Sequence, residues 1–416
     1  MKPPTNDIIP QGFKMTELEA LPEEWEVVKL GQVADISSGG SAPQGDKYFN
    51  GDKPFVRVSH IDNQNYSINK YDLINDNAIN DYRLKLFPKG TIVFPKSGAT
   101  VYLEKRAMLP IDAYVVSHLC TVISNKEKAI QHFLFYVLIS LKLAKEKADG
   151  YPTLNISEVK QIPIPLPPLL EQQKIAAVLS AVQEAKEKTE AVIAATKALK
   201  KTMMKHLFTY GPVSPEEAET VPLKETEIGP VPEDWEVVRL ENIFRITSGK
   251  ARPKILKESP AEPYIFPVFG GNGIIGYSNE FLIEYPTIIL GRVGEYCGSA
   301  HISQGKCWVS DNALYVNYFK RKIDLKFLLN ALEILNLNKL KNRGGQPLIS
   351  QSVVYSQSIP LPPFPTQQKI ASILSAIDAK IEAEENKKKA LEELFKSLLH
   401  NLMTANIRVN QMETVS

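Results

Sequence analysis

Residues 13–40 read FKMTELEALPEEWEVVKLGQVADISSGG, and residues 223–250 read LKETEIGPVPEDWEVVRLENIFRITSGK. The two stretches align at a constant offset of 210, with Pro22 against Pro232, Trp25 against Trp235 and Ser38-Gly39 against Ser248-Gly249. A second pair lies further on. Residues 164–180 read IPLPPLLEQQKIAAVLS, and residues 359–375 read IPLPPFPTQQKIASILS. Here the offset falls from 210 to 195, so the middle of the second copy is 15 residues shorter. The ends of the unit repeat and the middles diverge. Two copies are too few for a solenoid. They point to a pseudo-twofold pair of related halves, which suits a ligand with its own pseudo-twofold symmetry, such as duplex DNA.

Working outward from the repeat, each middle reads as a mixed α/β globule. In the first, Pro54–Val58, Thr91–Phe94 and Ala113–Val116 are short β-type runs, followed by a helix at Ile130–Lys147. In the second, Tyr264–Phe269, Thr287–Leu290 and Ala313–Tyr318 are the strands and Leu325–Leu340 the helix. Each globule closes on prolines (Pro163, Pro165, Pro167, Pro168; Pro360, Pro362, Pro363, Pro365). Proline suits a strand edge or a first helical turn, so each cluster marks a strand-to-helix boundary. Beyond it run two long amphipathic helices. In the first, Ile175, Val178, Val182, Ala185, Thr189, Val192, Thr196, Leu199 and Met203 form an a/d seam; in the second, Leu374, Ile377, Ile381, Leu391, Phe395, Leu398 and Leu402 do so, with a charged middle at Glu382–Lys389. Helices of about 40 residues are about 60 Å long and cannot bury such stripes on a small globule alone. Pairing with each other as an antiparallel coiled coil is the economical solution; separate helices that bind other proteins are the alternative.

The expected fold class is α+β, two mixed α/β domains separated by two long helices. The expected division is an N-terminal extension at 1–20, a first globule at 21–168, a first long helix at 169–210, a linker at 211–230, a second globule at 231–363, a second long helix at 364–405 and a tail at 406–416.

Composition bounds the function. With 44% hydrophobic and 23% charged residues the chain reads as globular, and a net charge of +2 neither demands nor excludes nucleic acid. No run of about 18 apolar residues exists and the first residues lack an apolar signal core, so the cytoplasm is the expected compartment. Cys120, Cys297 and Cys307 are scattered and odd in number, which suits ordinary thiols rather than a disulfide framework or a zinc site.

Catalytic patterns are missing. Gly271-Asn272-Gly273-Ile274-Ile275-Gly276 matches G-x-G-x-x-G, but the strand-like sequence after it, broken by Pro286, favours a turn over a dinucleotide site. There is no Walker A sequence and no Asn/Asp-Pro-Pro-Tyr/Phe tetrapeptide. Glu184-Ala185-Lys186 lies on a long helix without an acidic partner, and the six histidines form no metal-like cluster. What remains are loop-like polar and basic groups suited to DNA: Ser38; Arg57, Ser59 and His60 at a strand end; Lys96, Ser97 and Thr100; Lys105 and Arg106; Ser248, Lys250 and Arg252; Asn272 in the Gly-rich turn; Arg292; and Arg343 with Gln346. Arg and Gln can read guanine and adenine edges, while Lys, Ser and Thr suit phosphates.

The opening segment PEEWEVVKLGQVADISSGG with its copy PEDWEVVRLENIFRITSGK, and the closing segment PLPPLLEQQKIAAVLS with its copy PLPPFPTQQKIASILS, resemble the specificity subunit of type I restriction-modification systems. PFVRVSHID, PVFGGNGIIGY, ILGRVGEYCG and WVSDNALYV extend the likeness over nearly the whole chain. Thr366 stands where the first copy has Glu171, a small departure. The resemblance implies that each globule is a target recognition domain reading one half of a split site on double-stranded DNA. It implies that the helices fix the unread gap and dock two methyltransferase subunits, and that a restriction motor subunit joins the complex. S-adenosylmethionine and ATP would sit on those partners, with no cofactor, metal or catalytic residue in this chain. Two other readings stay open: a partner in which methyltransferase and nuclease are fused, and a protein-binding scaffold that does not touch DNA.

Overall fold

The segments that repeat in sequence pair with one another in space. In the computed structural model, which describes residues 9–62, 65–143, 153–342 and 346–409, Glu26–Lys29 pairs antiparallel with Pro163–Leu166, Val28 facing Ile164. Glu236–Arg239 pairs in the same way with Ser358–Leu361, Val238 facing Ile359. The prolines are tolerated because each ribbon has only two strands. The Leu30 N–H bonds the Ile162 carbonyl and the Leu240 N–H bonds the Gln357 carbonyl. That parity turns Pro163, Pro165 and Pro360 outward, where a missing N–H costs no ladder bond.

Long helices follow, at Leu169–Tyr210 and Phe364–Met403. Their first turns explain the first glutamine of the repeated Gln-Gln pair. Gln172, 1% exposed, donates to the Pro167 carbonyl (2.8 Å) and accepts from the Ile130 N–H (2.9 Å). Gln367 does the same with the Pro362 carbonyl (2.9 Å) and the Asp324 N–H (3.0 Å). Each glutamine therefore ties the start of a long helix to the start of the short helix that follows the globule's strands, at Gln131–Ser140 or Leu325–Leu335. Both short helices stop earlier than their apolar patterns suggest. The first turns extended at Leu141, and the rest of its expected span, from residue 144, lies outside the described residues. The second is capped by Asn336 in the left-handed conformation before a tighter turn at Leu337–Leu340.

Besides its ribbon, each globule holds two larger sheets among the described residues. In the first, an antiparallel sheet orders Ala34–Ser38, Leu119–Ser124, Ile92–Pro95 and Ala107–Met108. A second sheet orders Asp72–Ile74, Lys53–Val56, Ala113–Val115 and Leu86–Phe87, with 53–56 and 113–115 parallel. In the second globule the counterparts are Phe244–Ser248, Ala313–Phe319, Thr287–Gly291 and Ala300–Ser303, beside a smaller sheet of Gly273–Ser278, Phe266–Gly270 and Trp308–Val309 whose last pair is again parallel. The N-terminal extension and the linker are more ordered than their composition suggests: Phe13–Thr16 pairs with Glu19–Pro22, and Leu223–Lys224 with Val231–Pro232.

Contacts divide the chain into two compact units, Met1–Ala191 with Asn386–Ser416, and Val192–Glu385. The boundary crosses both long helices, so each unit is a globule plus one half of each helix. In the first unit Trp25, Leu30, Phe133 and Ile175 share a core with Phe395, Leu402 and Met403. In the second, Trp235, Phe244 and Phe327 share one with Met204, Leu207, Phe208 and Leu374. Within each unit the helix halves run antiparallel: Glu190 pairs with Lys388 (2.9 Å) in the first, and Lys197 with Glu385 (2.6 Å) and Lys200 with Asp378 (2.9 Å) in the second. The charged middle of the second helix thus supplies Glu385 and Lys388 as cross-helix partners.

Burial along the first long helix departs from the heptad expectation. Ile175 and Thr189 are buried as expected, but Val192 and Leu199 are 40% and 52% exposed, and Ile193, Met204 and Leu207 are buried. A straight helix slips about 20° per heptad against a 3.5-residue repeat. Over four heptads the slip is about 80°, close to the 100° step of one residue. The buried face therefore moves one position along the sequence.

Candidate nucleic-acid interface

At one end of the antiparallel sheet of each globule the strands give way to loops, and the same frame is built twice. In the first unit Ser38, Cys120 and Phe94 lie opposite one another across three strands; in the second Ser248, Leu314 and Leu290 do. The serine is followed by a glycine for a packing reason. A Cβ on Gly39 would overlap the carbonyls of Val115 and Val116, and one on Gly249 those of Val309 and Ser310. Only glycine lets the strand end cross so close to that backbone.

The strand on the other side leads into Lys96 in the first unit and Arg292 in the second. The Lys96 N–H donates to the His118 carbonyl (2.9 Å), and its own carbonyl accepts from the Leu154 N–H (2.7 Å). The Arg292 N–H donates to the Asn312 carbonyl (2.9 Å), and its carbonyl accepts from the Ile349 N–H (2.9 Å). Two residues later Gly98 and Gly294 both take positive φ, 85° and 98°. Their carbonyls receive the N–H groups of the buried Val101 and Cys297, each at 3.0 Å.

Around this frame the second unit collects most of its sequence-predicted contacts. The Arg292 guanidinium donates to Ser248 Oγ (3.2 Å). Lys250 is exposed and bonds Val309 through its N–H (3.0 Å), with exposed Arg252 two residues on. Gly271-Asn272 is the two-residue turn of a hairpin, with Gly270 opposite Gly273. The strand that follows removes the dinucleotide reading of this glycine-rich stretch, and the turn presents Asn272 to solvent. The Ser299 hydroxyl holds the Gly271 carbonyl (3.1 Å) beside Gly291. Gln346 is exposed next to Pro347, whose carbonyl accepts the Gly294 N–H (2.8 Å). Arg343 lies outside the described residues.

The first unit is arranged on the same backbone. Ser38 is exposed, Lys96 half-buried, and Ser97 Oγ shares a hydrogen bond with His118 Nδ1 (2.7 Å). Thr100 caps back onto the Ser97 carbonyl. The Val116 N–H bonds the Val56 carbonyl (3.0 Å), which places Arg57 beside this cluster. Arg57 and His60 face one carboxylate that sequence reading missed. Arg57 pairs with Asp72 and lies over Phe49 and Phe55, while His60 Nε2 is 3.6 Å from Asp72. Burial outweighs Asp72 and holds the His60 imidazole below its ordinary pKa. The ring accepts the Arg57 N–H at Nδ1 (3.1 Å). Ser59 is exposed between them, and Lys105 is turned inward, its ammonium on the Ile61 carbonyl (2.9 Å).

Arg106 is a correction. It is 2% exposed, pairs with Glu104, donates to the carbonyls of Leu138 and Lys105, and lies over Phe94. Its guanidinium holds the globule together and is not offered to a ligand. The three cysteines are buried and unpaired as thiols; burial raises the pKa of each and pushes Cys120 up to about 12, so none is a ready nucleophile. Among the described residues no group of three or more His, Cys, Asp or Glu could hold a metal, and no helix is long and apolar enough to cross a membrane.

Two loop surfaces of hydroxyl, amide and basic groups, each on a hydrogen-bonded sheet end, have the chemistry to bind a polyanion. Comparison with known proteins gives this geometry its context. The family profile described as the type I restriction modification DNA specificity domain matches residues 22–195 and again 232–393. The proposed specificity subunit of the type I restriction enzyme MjaX of Methanocaldococcus jannaschii is 30% identical, over 96% of this chain and 97% of the relative. The MjaVIII specificity subunit of the same organism is 27% identical, over 97% of each. The type I restriction-modification S subunit of M. genitalium shares the fold, with a TM-score of 0.66 and 18% identity over 91% of this chain and 96% of that one. Two family matches, one on each copy of a repeat whose ends pair and whose loops diverge, show that the chain belongs to the type I restriction-modification DNA specificity family.

Proposed function

We infer that this chain is the sequence-reading subunit of a type I restriction-modification complex, with each globule reading one half of a split DNA site. The observation that carries the reading is the twice-built sheet end. Its frame is the same in both copies, while the loops mounted on it differ in length and side chains. Shared frames with different loops suit two different half-sites on one duplex. The long helices would fix the unread gap between the half-sites and offer surface to methyltransferase subunits in the cytoplasm. Chemistry would belong to the partners: S-adenosylmethionine on the methyltransferases, which extrude the target base, and ATP on the motor subunit. This chain would bind and orient DNA and catalyse nothing.

Co-expression with its methyltransferase subunit tests this directly. Single-molecule sequencing should then find methylated adenines at one split motif that disappears when this chain is omitted. A demonstrably active, assembled partner that adds no new methylation would sink the reading. The gap role has its own test. One extra heptad in each long helix adds about 10.5 Å, about three base pairs at 3.4 Å each. The methylated motif should widen by that gap with both half-sites unchanged; a motif of the original width rules out the spacer role.

A further inference from the structure

We propose that Lys96 and Arg292 are one residue used twice: each places a single positive charge on a phosphate of its half-site, as a sequence-independent grip beside the loops that read bases. The inference rests on the DNA-reading function above and names the grip within it.

The equivalence comes from the backbone. Both residues leave the third strand of their sheet, donate to a loop carbonyl (His118 or Asn312) and accept from a returning segment (Leu154 or Ile349). Ser97 and Val293 then form isolated bridges with Thr153 and Leu348. Both are followed after two residues by a glycine at positive φ. Two backbone hydrogen bonds fix the backbone of each residue at the sheet end, so the charged side chain springs from the hydrogen-bonded frame of the globule and not from a loop tip.

What surrounds this position differs between the copies. His118 faces Ser97 in one; Ser248 faces the Arg292 guanidinium in the other. Arg57, on the strand beside the first frame, has Gly270 in the corresponding place, because the Val116 N–H bonds Val56 just as the Ser310 N–H bonds Phe269. Residues that read bases must differ between unlike half-sites. A charge kept in a frame whose neighbours change suits the part of DNA common to both, the phosphate backbone. The exchange of Lys for Arg points the same way. A guanine edge rewards the planar fork of arginine, whereas a phosphate accepts either cation as a point charge.

The test uses the complex assembled with its methyltransferase subunits. Variants are Lys96→Ala, Arg292→Ala, the exchanges Lys96→Arg and Arg292→Lys, and Lys126→Ala as a control at the far end of strand 119–124. DNA affinity is measured across a salt series, the methylated motif is sequenced, and thermal melting checks that each variant is folded. Each alanine variant should lower the slope of log affinity against log salt by about one, with the motif unchanged. The exchanges and the control should keep both slope and motif. An alanine variant with the wild-type slope overturns the proposal. So does an exchange that relaxes or alters one half of the motif, which would make the residue a base reader. If the wild-type complex itself binds DNA without salt dependence, the DNA-reading function fails first; if wild type binds and the variants match it, only the phosphate grip fails.

Discussion

Replacing Arg408 with alanine is expected to destabilise the first unit by about 3 kcal/mol, the lower end of the range for removing one partner of a buried ion pair. Glu171, 2% exposed, receives the Trp25 indole N–H (2.9 Å) and a forked pair of bonds from Arg408, at 2.8 and 3.1 Å. Arg408 also reaches Glu24 (2.6 Å) and lies over the Trp25 ring. Its hydrogen bond to Glu171 raises the arginine's pKa, and its own bond to Glu24 lowers that carboxyl's. Without the guanidinium, a charged group stays in the core with one neutral donor. Removing both partners should cost much less, since neither charge is then stranded. The double variant Glu171→Gln with Arg408→Met should recover most of the loss. The second copy supports this, because Thr366 occupies the corresponding place and its tryptophan, Trp235, is buried all the same. Urea unfolding followed by tryptophan fluorescence measures the effect. An Arg408→Ala midpoint equal to wild type would show that the clamp contributes nothing.

Arg106→Ala carries the second large expected effect, a loss of about 3–4 kcal/mol. The side chain satisfies two carbonyls and pairs with Glu104, and its removal opens a void under Phe94. Orphaned buried acceptors cost about 1–3 kcal/mol each, and the void adds to that. Arg106→Met should refill the void and leave the polar loss, so it should fall between alanine and wild type. A further readout separates frame from interface. The salt slope of DNA binding, measured at a temperature where the variant stays folded, should not change. A folded Arg106→Ala chain with full stability and weakened DNA binding would return Arg106 to the interface.

The parts of the fold legible in sequence were those set by local chemistry. The repeated ends, the proline-marked strand-to-helix boundaries and the long helices all follow from chain-local rules, and each is present where its residues require it. The seam of the first long helix shifts by one position over its second half because burial there follows the 3.6-residue period of the α-helix and not the 3.5-residue period of a heptad count. At the candidate site, sequence reading found the basic residues without knowing which faced solvent. Arg106 and Arg292 look alike in a loop-like string, and only the packing of Leu138 and Phe94 around one of them tells them apart. The equivalence of Lys96 and Arg292 was hidden for a different reason. The offset between copies changes within the globule, and a basic residue two places before a glycine is too common a pattern to align them; what identifies the pair is a shared set of backbone hydrogen bonds.

The half-helix that completes the first unit has a consequence for biosynthesis. Ile175, Ala176 and Leu179 share their core with Phe395, Leu402 and Met403, so the whole of residues 192–385 is translated before that core can close. At about 5–20 residues per second the wait is roughly ten to forty seconds. The second unit, contiguous in the chain, can mature on the ribosome while the first waits open for its last helix. The domain begun first is finished last, and during that interval its apolar helix stripe is what a chaperone would meet.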